Sequence, residues 1–179
     1  MDKKLIAQLQ IISPEEQEYL DGNIHVKKDI YTHRDISEVD CSLLLRNDKL
    51  VTVRPHSRFV EFPPHKHNYI EIMYVCQGTI THYIEGKELV MHTGDLLLLN
   101  QHVKHGIKRA EYDDIGINFI ALPEFFDIPL HMLKENNVIA EFLVSIFRQN
   151  NPGSHYLLFE LKNEKNIENL MENMIRTIL

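Results

Sequence analysis

Several features that mark whole classes of proteins are missing from this chain of 179 residues. Its two cysteines, Cys41 and Cys76, form no CxxC pair and are too few for a disulfide framework, which indicates a reducing compartment. No run approaches the ~20 apolar residues that a membrane-spanning helix needs. The N-terminus also lacks the apolar core of a signal peptide. We therefore expect a cytoplasmic protein with no membrane partner.

Basic residues are also scarce. The chain has 19 Lys and Arg against 26 Asp and Glu, a net charge of −7. Affinity for nucleic-acid phosphates comes mainly from Lys and Arg, so the chain does not have the composition of a DNA-binding module by itself. Its 44% hydrophobic and 25% charged residues are those of an ordinary globular protein. We find no internal repeat, and the length suits one domain with appendages.

The middle of the chain consists of short apolar runs separated by turn residues, as in all-β proteins. Strands are predicted over residues 42–45, 50–55, 58–62, 70–76, 79–84, 87–91, 96–99, 103–108 and 115–121. The run at 96–99 is apolar on both faces, as in a strand that is covered on both sides. About eight short strands at regular spacing predict a closed barrel or jelly roll.

The two flanks differ from this middle. Apolar residues at helical spacing occupy residues 1–12, and Ser13-Pro14-Glu15-Glu16 is a helix start signal. A polar arm follows, in which we interpret His25 and His33 as surface residues. Apolar stripes predict helices over 138–147 and 167–179, while 156–161 fits a strand or a helical turn equally well. We divide the chain into an N-terminal helix and arm (1–42), a barrel (43–122) and a helical segment (123–179).

The last predicted helix is still apolar along one face where it reaches Leu179. It has no cap, glycine or polar tail there. This pattern favours a natural polypeptide that continues further. The stripe itself fits packing on the chain's own barrel, an interface with a second copy, or both.

The chain is organised around residues 65 to 105. In a strand, successive side chains point to opposite faces, so the odd-numbered His65, His67 and Glu71 project to one side. A second strand block leads to His105. Three imidazoles and one carboxylate could bind Zn, Fe, Mn or Ni, and such an ion could activate water or oxygen. The alternative is that these groups hydrogen-bond one another or an effector.

Other side chains are candidates for contact with a small molecule inside the barrel, since pockets combine apolar walls with a few polar groups. They are Tyr69, Met73, Tyr83 and Arg109. For each alone, core packing or surface exposure is the competing interpretation. His82 shares the even-numbered face with Ile80 and Ile84, which favours a packed histidine. We treat His92 and His102 as weaker candidates still.

The spacing of these residues resembles two motifs of a known protein family. The spacing His-x-His-x3-Glu-x6-Gly at 65–78 resembles the first cupin motif, and Gly-Asp-x4-Asn-x4-His at 94–105 resembles the second. The second motif departs from the family pattern at three positions: Asn100 replaces the usual proline, His102 the usual glycine, and Arg109 the usual asparagine. These departures argue against a standard enzyme site.

More narrowly, residues 45 to 122 look like the N-terminal regulatory domain of AraC-type transcriptional regulators. The resemblance implies a mainly β fold, a cupin-type double-stranded β-helix (jelly roll) barrel followed by C-terminal α-helices. It implies a small-molecule effector, with sugars as one class, and no catalysis. It also implies a homodimer held by the helices after the barrel, and DNA contact only through a C-terminal helix-turn-helix domain that is not in this chain.

Two other functions are compatible with the same residues. One is a metal-dependent cupin enzyme, an oxygenase or isomerase with His65, His67, Glu71 and His105 as metal ligands. The other is a stand-alone sugar-binding cupin. Both predict a chain without a DNA-binding segment.

Overall fold

The computed structural model describes residues 1–33, 37–45, 49–101, 103–126 and 156–179. Its helices are α1 (Lys3–Leu9), α2 (Pro14–Leu20), α3 (Lys28–Tyr31), α4 (Cys41–Leu44) and α5 (Lys165–Ile178), with a 3-10 turn at Pro123–Phe126. Its strands are β1 (Glu38–Val39), β2 (Val51–Pro55), β3 (Phe62–His67), β4 (Ile70–Gln77), β5 (Thr79–Ile84), β6 (Lys87–His92), β7 (Leu96–Leu99), β8 (His105–Ile107), β9 (Ile115–Ala121) and β10 (Tyr156–Phe159). The helix predicted over 138–147 and His102 lie outside the described residues.

The strands form two five-stranded sheets. Their orders are β1-β3-β8-β5-β6 and β10-β7-β4-β9-β2. Buried side chains from both sheets form one core, including Phe62 and Ile84 from the first and Met73 and Leu99 from the second. The β5–β6 hairpin turns through Glu85 and Gly86, both with positive φ, as a tight hairpin turn requires. The predicted mainly β jelly-roll fold is confirmed.

A second core lies on the outer face of the β10-β7-β4-β9-β2 sheet. Tyr74 of β4 and Ile117 of β9 meet Leu5 of α1 together with Met171 and Ile175 of α5. The apolar stripe of α5 therefore packs on the chain's own barrel, which is one of the two interpretations that the sequence left open. This sheet is covered on both faces, which explains why its strands are apolar on both sides.

The described parts of the N-terminal arm contact the barrel. Strand β1 pairs in parallel with β3, with Val39 opposite His67. Val26 and Tyr31 join Val39 in the interior core. The arm is therefore less irregular than its polar composition predicts, whereas His25 and His33 are exposed as expected.

Helix α2 is held to the barrel by a buried ion pair. Ser13 and Glu16 form a capping box, in which each side chain accepts a hydrogen bond from the other's backbone N–H. The same Glu16 carboxylate accepts hydrogen bonds from the Arg58 guanidinium at 2.7 and 3.0 Å. The helix start signal read from the sequence is confirmed.

Three predicted strands are wrong in part. The strand predicted over 42–45 is wrong because residues 42–44 belong to helix α4. The Asp40 side chain caps that helix by accepting a hydrogen bond from Ser42 N–H. The strand predicted over 58–62 begins only at Phe62, because Phe59 has a φ of 68° and Arg58 turns toward Glu16. The strand predicted over 103–108 is confined to His105–Ile107.

The segment at 156–161 is a strand over its first four residues. Strand β10 pairs antiparallel with β7, from Tyr156 opposite Leu99 to Phe159 opposite Leu96. It lies within the segment predicted to be helical and extends the barrel's second sheet. None of the helices in the described parts of the chain is long and apolar enough to span a membrane.

Candidate metal centre

Both sheets contribute side chains to a buried polar cluster inside the barrel. His65 and His67 lie on β3, where His65 pairs with His105 of the neighbouring β8. Glu71 lies on β4, in the other sheet. The odd-numbered side chains of β3 and β4 do project to the interior, as the strand alternation predicts. The cluster therefore connects the two sheets.

Three of the four predicted ligands converge. Oε2 of Glu71 lies 3.3 Å from Nε2 of His67 and 3.3 Å from Nε2 of His105. His67, Glu71 and His105 are only 1%, 4% and 0% exposed. The ligand atoms of these three residues lie within 4.8 Å of one another. They form the three-residue group that could hold a metal ion.

The tautomer of His67 follows from its second contact. Its Nδ1 lies 2.7 Å from the backbone carbonyl oxygen of Tyr69, which can only accept a hydrogen bond. Nδ1 therefore carries the proton, and in the neutral ring Nε2 presents a lone pair to the Glu71 carboxylate. Such a carbonyl contact is the usual way in which a metal-binding histidine is oriented.

The ring nitrogens of the cluster are not satisfied by hydrogen bonds. Nε2 of His67 and both ring nitrogens of His105 are buried without a hydrogen-bond partner among the described residues. The 3.3 Å contacts to Glu71 have the length of ion pairs but not the direction of hydrogen bonds. Buried polar groups of this kind need a partner, and a bound cation would supply one.

The distances also fit a cation. Zinc binds histidine nitrogen and carboxylate oxygen at about 2.0–2.1 Å, so two ligands on a tetrahedron around it are about 3.3–3.4 Å apart. Two histidines and one carboxylate are a known set for catalytic Zn and for non-haem Fe(II), both with open positions. His67, Glu71 and His105 thus have the chemistry and spacing to hold a divalent metal.

Electrostatics within the cluster keep Glu71 ionised. Burial alone would raise the pKa of its carboxyl, but the adjacent rings of His105 and His67 hold that pKa well below its ordinary value of 4.5. An ionised carboxylate is the form that binds a metal.

His65 is next to the group without belonging to it. Its ring centroid lies 4.4 Å from that of His105, and its Nδ1 lies 2.9 Å from the carbonyl oxygen of Pro63. Burial, followed by the charge of His105, lowers the pKa of His65 to about 3. His65 is therefore a neutral side chain that packs beside the centre at physiological pH.

The predicted effector contacts divide into two pairs. Tyr69 and Met73 lie in the interior, where Tyr69 stacks on the His67 ring at 4.6 Å between centroids. Tyr83 and Arg109 are not brought to the cluster. Tyr83 contacts Lys108 outside the sheet, and Arg109 is an exposed partner of Glu111. The interior face of β5 is the even-numbered one, which directs Tyr83 outward.

Two further histidines border the interior. His82 is fully buried, as the sequence predicts, with Nε2 3.1 Å from the Met73 sulfur and Nδ1 without a partner among the described residues. His56 is buried directly after β2, and its Nε2 likewise lacks a partner in the described part of the chain. Sequence reasoning missed His56 because it belongs to no spaced motif.

The cavity beside the cluster is small. It measures about 30 Å³ and is bordered by His56, His65, Tyr69 and Glu71, among others. A volume of this size accommodates about one water molecule or an ion. An organic molecule does not fit there unless the interior rearranges.

Comparison with known families finds a match in this region. A family model described as the AraC-like ligand binding domain matches residues 50–127. These residues are therefore similar to AraC-like ligand-binding domains. The match contains strands β2 to β9 and the cluster of His65, His67, Glu71 and His105, which we call the His/Glu cluster. The resemblance inferred from residues 45 to 122 is therefore confirmed.

Solved structures are similar to this chain to different degrees. Apo ToxT K231A from Vibrio cholerae is 13% identical, with a TM-score of 0.51, covering 72% of this chain and 48% of that chain. ToxT with an unsaturated fatty acid bound is 14% identical, with a TM-score of 0.47, over 70% and 46%. A cupin-2 domain protein from Shewanella frigidimarina is 20% identical, with a TM-score of 0.34, over 44% and 74%. The chain spans about half the length of the ToxT structures, and no curated protein matches it.

Proposed function

We propose that this chain is the effector-sensing and dimerisation part of an AraC-type transcriptional regulator. A small molecule binds the ligand-binding domain, and a DNA-binding domain elsewhere on the same cytoplasmic polypeptide responds. The observation that carries this proposal is the family match across the barrel, residues 50–127. Transcription then depends on which arrangement of the arm and helices the effector binds better, since only differential affinity shifts an equilibrium.

The proposal includes a divalent metal ion bound by the His/Glu cluster. His67, Glu71 and His105 hold one divalent ion, Zn, Fe, Mn or Ni, and His65 packs beside it. Its support is the set of unpartnered buried nitrogens, which a cation would satisfy. When bound, the ion would supply a fixed positive charge on the interior side of β3, β4 and β8, and its ligands would come from both sheets.

The enzyme alternative, a metal-dependent oxygenase or isomerase, has less support from the same geometry. Turnover requires an organic substrate beside the ion, and the adjoining cavity of about 30 Å³ admits only a water-sized group. The departures from the second cupin motif argue in the same direction. We therefore assign no catalytic residue to this chain.

The coding sequence after codon 179 tests the regulator. We expect two helix-turn-helix patterns downstream of Leu179, and a stop codon at that point would contradict the proposal. The complete protein should also bind DNA, with an affinity that changes when its metal is removed by chelation or restored with zinc. DNA binding that is absent under every condition would contradict it as well.

Dimerisation is tested on residues 1–179 alone. Sedimentation equilibrium should give twice the mass of the chain. Leu170 is the position to substitute, because it is 53% exposed on α5 and is not needed for packing on the barrel. Leu170→Glu should halve the observed mass if α5 forms the interface. A chain that is monomeric at all concentrations would remove dimerisation from the proposal.

A further inference from the structure

Strand β6 (Lys87–His92) is an open edge of the β1-β3-β8-β5-β6 sheet. It pairs with β5 on one side, and no described strand pairs with its other side. Among the four described strands that end the two sheets, β6 is the longest, with six residues against two to five in the others. Its register with β5 is continuous, without a bulge or a proline. Short length, bulges and proline keep edge strands from pairing with other chains, and β6 has none of these three.

The hairpin with β5 determines where the backbone groups of β6 point. Glu85 and Gly86 form a two-residue turn with positive φ, so the flanking pair of Ile84 and Lys87 is hydrogen-bonded. Bonded and non-bonded pairs alternate from there along an antiparallel ladder, so the odd-numbered residues of β6 bond to β5. The backbone groups that point away from β5 belong to the remaining residues, Glu88, Val90 and His92.

Two contacts agree with this alternation. The carbonyl oxygen of Thr81, the residue opposite Val90, accepts at 2.9 Å from the first backbone N–H after β8, and so points away from β6. The N–H of His92 donates to the Asp95 carboxylate at 2.8 Å, and the His92 carbonyl accepts from Asp95 N–H at 2.9 Å. Within the described residues, the edge therefore has four unbonded backbone groups, the N–H and C=O of Glu88 and of Val90.

A second copy of β6 satisfies all four groups in one register. When two β6 strands run antiparallel about a two-fold axis at Leu89, Glu88 of each copy lies opposite Val90 of the other. Both pairs are then hydrogen-bonded, which gives four bonds and leaves no edge group unused. A register centred on Val90 would instead place Glu88 opposite His92, whose backbone groups already bond to Asp95. The free groups of this edge thus match those of its own copy.

The side chains also fit the register centred on Leu89. Leu89 packs against the interior core but is only partly buried. At the axis it would meet Leu89 of the other copy in a non-hydrogen-bonded pair, where side chains are closest. On the outer face, Val90 is 43% exposed and would lie opposite Glu88, whose carboxylate is already bound by Lys108 at 2.9 Å. An apolar contact therefore lies at the axis, and no two like charges oppose each other.

We propose that β6 is the surface through which two copies of this chain associate, edge to edge about an axis at Leu89. The β1-β3-β8-β5-β6 sheet then continues into the same sheet of the other copy. This inference rests on the dimerisation in the proposed function, and it assigns the interface to β6 instead of the exposed side of α5. A contact built on one six-residue strand is small beside the about 1,200–2,000 Å² of stable interfaces, so the dimer is reversible and depends on concentration.

Val90→Pro is the most direct variant. Proline removes the Val90 N–H, and with it two of the four hydrogen bonds between the copies. The fold tolerates the change because this N–H faces away from β5, as proline requires in an edge strand. Sedimentation equilibrium on residues 1–179 should give a dimer dissociation constant about tenfold or more above that of the native chain, the effect of losing two hydrogen bonds.

Two controls accompany this variant. Val90→Thr keeps the N–H and a branched side chain, so it should dimerise like the native chain. Leu170→Glu changes the exposed side of α5 and should also keep the native mass. Thermal unfolding should show that all three variants are folded.

A cysteine cross-link tests the register without proline. Residues that face each other in a non-hydrogen-bonded pair have Cα atoms about 4.5 Å apart, within the about 4.4–6.8 Å that a disulfide spans. Leu89→Cys should therefore form a cross-linked dimer under mild oxidation, seen by non-reducing gel electrophoresis. Glu88→Cys should not, because position 88 faces position 90 of the other copy. Both variants keep Cys41 and Cys76, so a difference between them belongs to the added cysteine.

The outcomes separate this inference from the proposed function. Dissociation by Val90→Pro together with cross-linking of Leu89→Cys supports pairing through β6. A dimer that Leu170→Glu dissociates and Val90→Pro does not would overturn it and leave dimerisation through α5 intact. Cross-linking of Leu89→Cys that is absent, or no greater than that of Glu88→Cys, would also overturn it. A native chain that is monomeric at all concentrations would remove both, and the regulator would still be judged by the DNA binding of the complete protein.

Discussion

Two buried clusters in this protein contain a carboxylate and its basic partners, and they differ in how well their polar atoms are satisfied. Arg58 is 1% exposed and donates to both oxygens of Glu16 and to the carbonyl oxygens of Gln10 and Tyr112. In the barrel, Glu71 faces His67 and His105 at 3.3 Å, and three ring nitrogens of these histidines lack partners within the described residues.

The difference separates a structural cluster from a binding site. Native proteins pair almost all buried polar atoms, so the saturated Arg58–Glu16 cluster needs nothing more. The unsaturated cluster needs a further partner, and its spacing fits a metal ion. Burial and charge alone would not have distinguished the two. The predictions below separate them by stability, metal and pH.

The largest effect is expected from Arg58→Met. Removing one partner of a buried ion pair leaves the other charge uncompensated, which costs about 3–5 kcal/mol in the free energy of unfolding. Chemical denaturation would measure it. A loss below about 1 kcal/mol would mean that the Glu16 carboxylate is well solvated or protonated in the folded state.

Zinc should stabilise the native chain and not the Glu71→Gln variant. At a free concentration a hundred times the dissociation constant, a ligand that binds only the folded state adds about 2.7 kcal/mol. Thermal unfolding with zinc and with a chelator would measure this difference. Equal stabilisation of both proteins would assign the zinc effect to other residues.

Acid should weaken the Arg58–Glu16 cluster in a defined direction. Burial raises the pKa of Glu16, but the hydrogen bonds from Arg58 and Ser13 outweigh it and hold the pKa below the ordinary 4.5. The folded state then binds fewer protons than the unfolded state, so this stability is fully present above pH 4.5 and is lost as pH falls through the folded pKa.

The comparison with Glu16→Gln isolates that contribution. The gap in unfolding free energy between the native chain and this variant should be constant above about pH 5 and shrink below the ordinary pKa of 4.5. A gap that does not depend on pH would show that Glu16 does not titrate as proposed.

The smallest effect is expected from Arg109→Met, the surface counterpart of Arg58→Met. Arg109 pairs with Glu111 at 3.2 Å, but both side chains are more than half exposed. Exposed pairs contribute little, so the free energy of unfolding should change by under about 0.5 kcal/mol. Metal content should be unaffected. A large loss would mean that Arg109 has a partner outside the described residues.

Much of the barrel could be predicted from the sequence because its signals are local. Strand alternation correctly directs His67 and Glu71 inward, and the same alternation directs Tyr83 outward once the even-numbered face of β5 is known to be internal. The errors arise where a distant contact decides the local structure. Arg58 leaves a predicted strand to reach Glu16, 42 positions away, and no periodicity reveals that pair.

The cluster could be predicted in part for the same reason. The spacing of the motif gives the ligand types and the face on which they lie. It does not give the orientation of the rings, so His65 could not be separated from His67 and His105 without the structure. His56 could not be found at all, because it belongs to no spaced motif and only the structure shows its buried ring beside the interior cavity.

Calorimetric titration of zinc into the chelator-stripped chain tests the central claim most directly. The claim is that the unsatisfied cluster is a metal centre. We expect one ion bound per chain, with the affinity reduced by more than about tenfold in Glu71→Gln and unchanged in Arg109→Met, since even outer-shell changes cost 10–100-fold. A native chain without saturable zinc binding, or one that binds zinc no better than Glu71→Gln does, would contradict the claim.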